Sequence, residues 1–102
     1  MMKTGIDLIK EERERQINVE GWTENHDKQH INGELASLAA LYAYPHNRYE
    51  HKSFYADSIF SAMWPQNWDP KWWKPTPENR IKELTKAGAL IAAEIDRIKA
   101  NR

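Results

Sequence analysis

The stretch from Thr76 to Ala100 constrains this chain more than any other. Thr76-Pro77 pairs a capping residue with a proline at a first helical position, and no proline follows. Beyond it Ile81, Leu84, Gly88, Ile91, Ile95 and Ile98 alternate spacings of three and four residues. That rhythm predicts a helix from Pro77 to about Ala100 with one apolar seam. Gly88 in the seam points to a close crossing with a neighbouring helix. A helix of this kind needs other helices to lie against, and the same seam suits a dimer of the chain. With 102 residues the protein is expected to be a single domain, residues 1–102, with a modest core. Small helical proteins of this size often gain stability by oligomerising.

The remaining segments read as partners for that helix. Thr4 and Asp7 have the spacing of a capping box, so a first helix should run from there to about Asn18. Its inward face carries Ile6, Ile9 and Ile17, but also Arg13, Gln16 and, if it continues, Glu20. Charged groups on an inward face need partners, because burying them alone is costly. Gly21 ends this helix or permits a turn. A second helix ends at Tyr44-Pro45 and presents Ile31, Leu35, Leu38 and Tyr42. Its start has two readings, near Glu24 or at Asn32. Ser53 could cap a short helix from Phe54 to about Met63. Between Trp64 and Pro75, three prolines in twelve residues forbid regular structure and predict an ordered loop held by its own tryptophans. The expected fold is all-α: a small bundle of three main helices, one short helix and a Trp/Pro-rich loop.

Composition removes several classes of function. Fifteen basic residues balance fifteen acidic ones, so a general nucleic-acid coat is disfavoured. There is no cysteine, hence no disulfide and no thiolate-based zinc site. The first residues lack the apolar core of a signal peptide, and the apolar run from Ala36 to Tyr44 is too short to span a bilayer. The expectation is a cytoplasmic protein without a membrane partner.

Chemistry concentrates between His26 and Glu34. His26, His30 and Glu34 recur every four residues, with Asp27 beside them. On one helix, successive members of such a set lie about 40° apart and share a ridge. Imidazoles and carboxylates so placed can hold a divalent metal, with Glu94, Glu12 or Glu20 as a further ligand from another helix. The same ridge can instead be a hydrogen-bonded polar surface. A second constellation suits a nucleotide: Trp22 and Trp73 offer faces for a base, and Arg13 and Lys74 offer charge for phosphate. Arg80, Lys86 and the start of the last helix are further phosphate donors on this reading.

Together these residues resemble a family of small phage and prophage proteins. The pattern is Glu12-Arg13-Glu14-Arg15-Gln16, Glu20-Gly21-Trp22-Thr23, His26-Asp27, His30, Gly33-Glu34-Leu35-Ala36, Tyr42-Ala43, Trp64-Pro65, Trp73-Lys74-Pro75 and Lys86-Ala87-Gly88-Ala89-Leu90-Ile91 ahead of Ala93-Glu94-Ile95. The resemblance covers nearly the whole chain and implies a phage-type accessory protein in the host cytoplasm, without implying an activity. A weaker likeness is to the all-helical, MazG-like nucleoside triphosphate pyrophosphohydrolases. Against it, Arg15 stands where a third acidic residue would fall after Glu11-Glu12, and Ser37 stands where an acidic residue would follow Glu34.

These readings converge on binding of a small nucleotide-like, phosphate-bearing ligand, such as a host defence signal to be sequestered. The expected contacts are Arg13, Gln16, Glu20, Trp22, His26, Asp27, His30, Glu34, Trp73 and Lys74. The rival reading is a metal-dependent phosphohydrolase with His26, His30, Glu34 and Glu94 on the metal. A third is a protein that inhibits a host protein by surface contact.

Overall fold

A computed structural model describes residues 2–23, 33–44, 63–64, 73–76 and 78–100. Three helices lie among them: α1 (Gly5–Asn18), α2 (Glu34–Ala43) and α3 (Arg80–Ala100). The fold is all-α. The short helix expected from Phe54, and the greater part of the tryptophan loop, lie outside the described residues.

Helix α1 begins where the sequence predicts. The Asp7 N–H donates to Thr4 Oγ1 at 3.2 Å, and the Thr4 N–H donates to Asp7 Oδ2 at 2.9 Å, closing the capping box. After Asn18 the chain turns through Gly21, whose φ of 76° is natural only for glycine. The Trp22 N–H then returns to the Gln16 carbonyl at 2.9 Å, which seats Trp22 under the end of α1.

Helix α2 settles the question of its own start. Gly33 has φ 80° and stands as its N-cap, so the helix begins at Glu34. A single helical ridge from His26 to Glu34 is therefore excluded, because left-handed backbone at Gly33 interrupts any helix that would carry all three groups. Tyr44, with ψ 136°, ends α2 ahead of Pro45 as expected.

Helix α3 is the hub, packing on both α1 and α2. It starts at Arg80 and not at Pro77. Its capping oxygen is Asn79 Oδ1, which accepts the Lys82 N–H at 3.1 Å. Thr76 instead opens a turn, its carbonyl accepting the Asn79 N–H at 2.8 Å.

The face that α3 buries is the larger correction. Five seam residues are exposed: Ile81 at 67%, Leu84 at 46%, Ile91 at 49%, Ile95 at 52% and Ile98 at 48%. The buried side carries Glu83, Lys86, Leu90 and Ala93, which keep an equally regular three-and-four spacing, with Ala87 and Ala89 also buried. Small alanines let α2 approach closely, so Leu35, Leu38, Ala39 and Tyr42 pack with Ala87, Leu90, Ala93 and Trp22 into one core. The charged members of this second row are tolerated because each finds a hydrogen-bonding partner, described below.

Gly88 does mark a close crossing. A Cβ there would lie 2.5 Å from Ile9 Cδ1 of α1. Gly88→Leu should therefore lower stability by about 1–3 kcal/mol through overpacking, outweighing the helix propensity it gains. Ile9→Ala in the same chain should recover part of that loss. Paired thermal melts of the single and double variants measure both effects.

Candidate functional site

Polar side chains of α1, α2, α3 and the 73–76 segment meet around one small cavity. It is lined by Glu12, Arg15, Gln16, Glu20, Trp22, Tyr42, Lys74, Lys86 and Leu90. Its volume of about 20 Å³ admits one water. Helical spacing delivers Glu12, Arg15 and Gln16 of α1, which lie three and four apart, and Glu20 follows two residues past the helix end. Lys74 arrives because the segment carrying it is tied to α2 and α3. The Lys74 N–H donates to Tyr42 Oη at 2.8 Å, and Thr76 N–H donates to Glu83 Oε2 at 3.1 Å.

The outer rim is an ion-pair network. Arg15 clamps Glu12 with two bonds, Nε to Oε1 at 2.7 Å and Nη2 to Oε2 at 2.8 Å, a bidentate arrangement. Its Nη1 reaches Glu20 Oε1 at 3.0 Å, and Lys74 Nζ approaches the same oxygen at 3.4 Å. Arg15 foremost, with Lys74 beyond it, holds the Glu20 carboxyl below its ordinary value. The Glu12 carboxylate likewise raises the Arg15 guanidinium.

Deeper in, the balance is incomplete. Lys86 is 8% exposed. Its Nζ donates to the Lys74 carbonyl at 2.8 Å and lies 5.4 Å from the Tyr42 ring centroid. Among the described residues no carboxylate stands within ion-pair distance of it. Burial, followed by repulsion from Lys82, lowers its pKa. Gln16, 2% exposed, gives its Nε2 hydrogen to Glu12 at 3.3 Å, while its Oε1 is buried without a hydrogen-bond partner among the described residues. Among the described residues, a cation paired with none of the carboxylates and an acceptor lacking a donor thus line one cavity. Burial also raises the Tyr42 hydroxyl pKa, so it stays protonated at neutral pH.

On the outer side of the Glu12–Arg15 pair lies an open trough of about 380 Å³ between α1 and α3. Leu8 and Ile81 give it an apolar side, and Glu11, Asn79, Lys82 and Thr85 give it polar ones. Glu12 and Arg15 therefore form a wall common to trough and cavity.

The expected site residues fall into three groups. Gln16, Glu20, Trp22 and Lys74 come together at the cavity. Arg13 is part-buried behind it, Nη1 donating to the Trp22 carbonyl at 3.3 Å, so it braces the chain after α1. Trp22 is only 5% exposed and belongs to the core. Trp73 packs against Tyr42, ring centroids 4.9 Å apart, and edge-on to Trp64 at 6.3 Å. Glu34 is the first residue of α2, and Glu94 pairs with Arg97 along α3. His26, Asp27 and His30 lie outside the described residues. Within the described residues, no three His, Asp or Glu side chains are placed to share a metal.

Sequence reading missed Glu83, Arg15 and Tyr42 as polar members of this region. Glu83 is fully buried and accepts from Arg80 Nη1 at 3.3 Å. Arg80 in turn donates to the Tyr42 carbonyl at 2.8 Å and to the Ala43 carbonyl, closing the C-terminal end of α2. The signal for Glu83 and Lys86 was present: both sit in a three-and-four row with Leu90 and Ala93. The row of larger aliphatic residues beside it masked that signal.

No family model matches the chain, and no curated protein or solved structure shows significant similarity to it.

Because Glu20 ionises more readily in the folded state, its contribution is complete above its ordinary value of 4.5. It is lost as pH falls through the lower native value. Glu20→Gln should cost about 0.5–1 kcal/mol at neutral pH, a modest figure because the pair is partly solvated. The two proteins should converge in stability in strong acid. Urea unfolding midpoints across that pH range report the convergence.

Proposed function

We propose that this protein binds a small, phosphate-bearing, nucleotide-like ligand at the wall shared by the trough and the inner cavity. The observation that carries the reading is Lys86, a buried cation at the cavity that is ion-paired to no carboxylate among the described residues, in a lining that also holds the Gln16 Oε1 with no donor among them. An incoming anion would supply the missing charge, and a hydroxyl on it would satisfy Gln16. Lys74 and Arg15 can add to the grip, since both have long, partly exposed side chains. Entry requires Lys74 to release Glu20, the longest contact of the rim. The body of the ligand would then occupy the trough, whose volume falls within the range of small-molecule sites. There Leu8 and Ile81 meet a ring face, while Asn79 and Thr85 hydrogen-bond to it. Tyr42 and Leu90 close the inner cavity behind them.

In this role the protein is a phage-type accessory factor acting in the host cytoplasm, where sequestering a nucleotide signal would disarm a defence. The enzyme reading rests on His26 and His30 with a divalent metal, and the assay below separates it from binding. On either reading the exposed row of α3 supports self-association of the chain.

The test is depletion and release. Protein is incubated with linear and cyclic nucleotides, with and without a divalent metal, and the filtrate is chromatographed before and after heating the protein. We expect one peak to vanish and return unchanged on heating. Lys86→Met should weaken that depletion at least about tenfold, by loss of a charge-assisted contact, with the helical circular dichroism retained. A new, metal-dependent product peak would establish an enzyme instead. No change in any peak would overturn the ligand reading altogether.

A further inference from the structure

The exposed row on α3 has a symmetry of its own. Its midpoint falls between Ala89 and Leu90. Ile81 and Ile98 stand equally far from that point, as do Leu84 and Ile95, and Gly88 and Ile91. Ile9 of α1, seated on Gly88, fills the one gap, so the strip is apolar throughout. All five large members are about half exposed or more.

We propose that this strip is the interface of a two-fold homodimer in which α3 of one protomer packs antiparallel on α3 of its partner. The occupant we assign is a second copy of the chain, because the row offers the area that a small reversible dimer buries. Under the two-fold, Ile81 meets the partner's Ile98, Leu84 meets the partner's Ile95, and Ile91 meets the partner's Gly88 with Ile9 above it. Antiparallel pairing is favoured over parallel because it sets opposite helix ends side by side, so the helix dipoles attract. It also separates the two copies of the 73–79 segment, which parallel pairing would crowd at one end.

The area fits a reversible dimer. Five half-exposed aliphatic side chains present on the order of 500 Å² per copy, and a pair buries roughly 1,000 Å², the lower limit of specific interfaces. Association should therefore be concentration-dependent in the micromolar range. The strip shares Ile81 with the trough, but none of Glu12, Gln16, Lys74 or Lys86 belongs to it, so Ile91→Asp tests the dimer apart from ligand binding.

Two measurements test it. In sedimentation across micromolar concentrations the protein should reach twice the 12.0 kDa of one chain, and Ile91→Asp should hold it at the single mass. A chain without cysteine also permits clean cross-linking. Under mild oxidation an equal mixture of Ile81→Cys and Ile98→Cys should give a covalent dimer joining the two variants, while Ile81→Cys alone should give little. Efficient linking of Ile81→Cys to itself would mean parallel pairing and overturn the proposal. A single mass at every concentration, with no cross-link in the mixture, would overturn it as well. The cysteine pair keeps the test decisive should Ile91→Asp fail to fold.

Discussion

The interaction on which the rest of the structure depends is the burial of the Glu83 carboxylate. A buried carboxylate costs several kcal/mol unless its oxygens are well met. Here one oxygen accepts the Thr76 N–H and the other accepts from Arg80. Meeting that requirement bends the segment before α3 back over the helix and aims Arg80 at the end of α2. The 73–76 segment and the start of α3 are thereby fixed to the end of α2, which lies far from both in sequence. Without that bend Lys74 would not reach Glu20, and its carbonyl would not reach Lys86. The polar cavity is thus a consequence of how α3 satisfies its own buried acid.

The arrangement divides α3 into three sides with different work. One side, rich in alanine, accepts α2 and the Trp22 ring. A second receives α1, with Gly88 giving Ile9 room to sit. The third keeps the large aliphatic residues and is left uncovered by the described residues. A helix that buries its small and charged residues while exposing its isoleucines inverts the usual amphipathic order. The inversion is physically coherent, because the alanines gain close packing, the charges gain partners, and the isoleucines are available for association.

Much was legible in the residues themselves. The Thr4–Asp7 capping box, the stop at Tyr44, the turn glycine at position 21 and the crossing glycine at position 88 each follow from local chemistry. Gln16 and Glu20 stood out because polar side chains at inward positions require partners. Two readings failed at helix starts. Thr76-Pro77 satisfies the local rule for a helix start, yet Asn79 supplies the cap, because Thr76 is needed for the contact with Glu83. The ridge from His26 to Glu34 assumed continuous helix, and Gly33 adopts a conformation that only the following helix reveals.

Sequence by itself determined that this chain is helical, where α1 and α2 end, and that Ile9, Arg13, Gln16 and Ile17 of α1 turn inward, although Ile6, expected on the same face, is 81% exposed. These are local matters, set by capping, by glycine and proline geometry, and by the period of the helix. Only the tertiary structure decided which of two equally regular rows on α3 is buried. Periodicity marks a row but carries no information about what lies opposite it. The choice fell to the row whose charged members could be paired, Glu83 with Thr76 and Arg80, and Lys86 with the Lys74 carbonyl. Arg80 lies on α3 itself, but Thr76 and Lys74 precede the helix, so no reading confined to α3 could have supplied them.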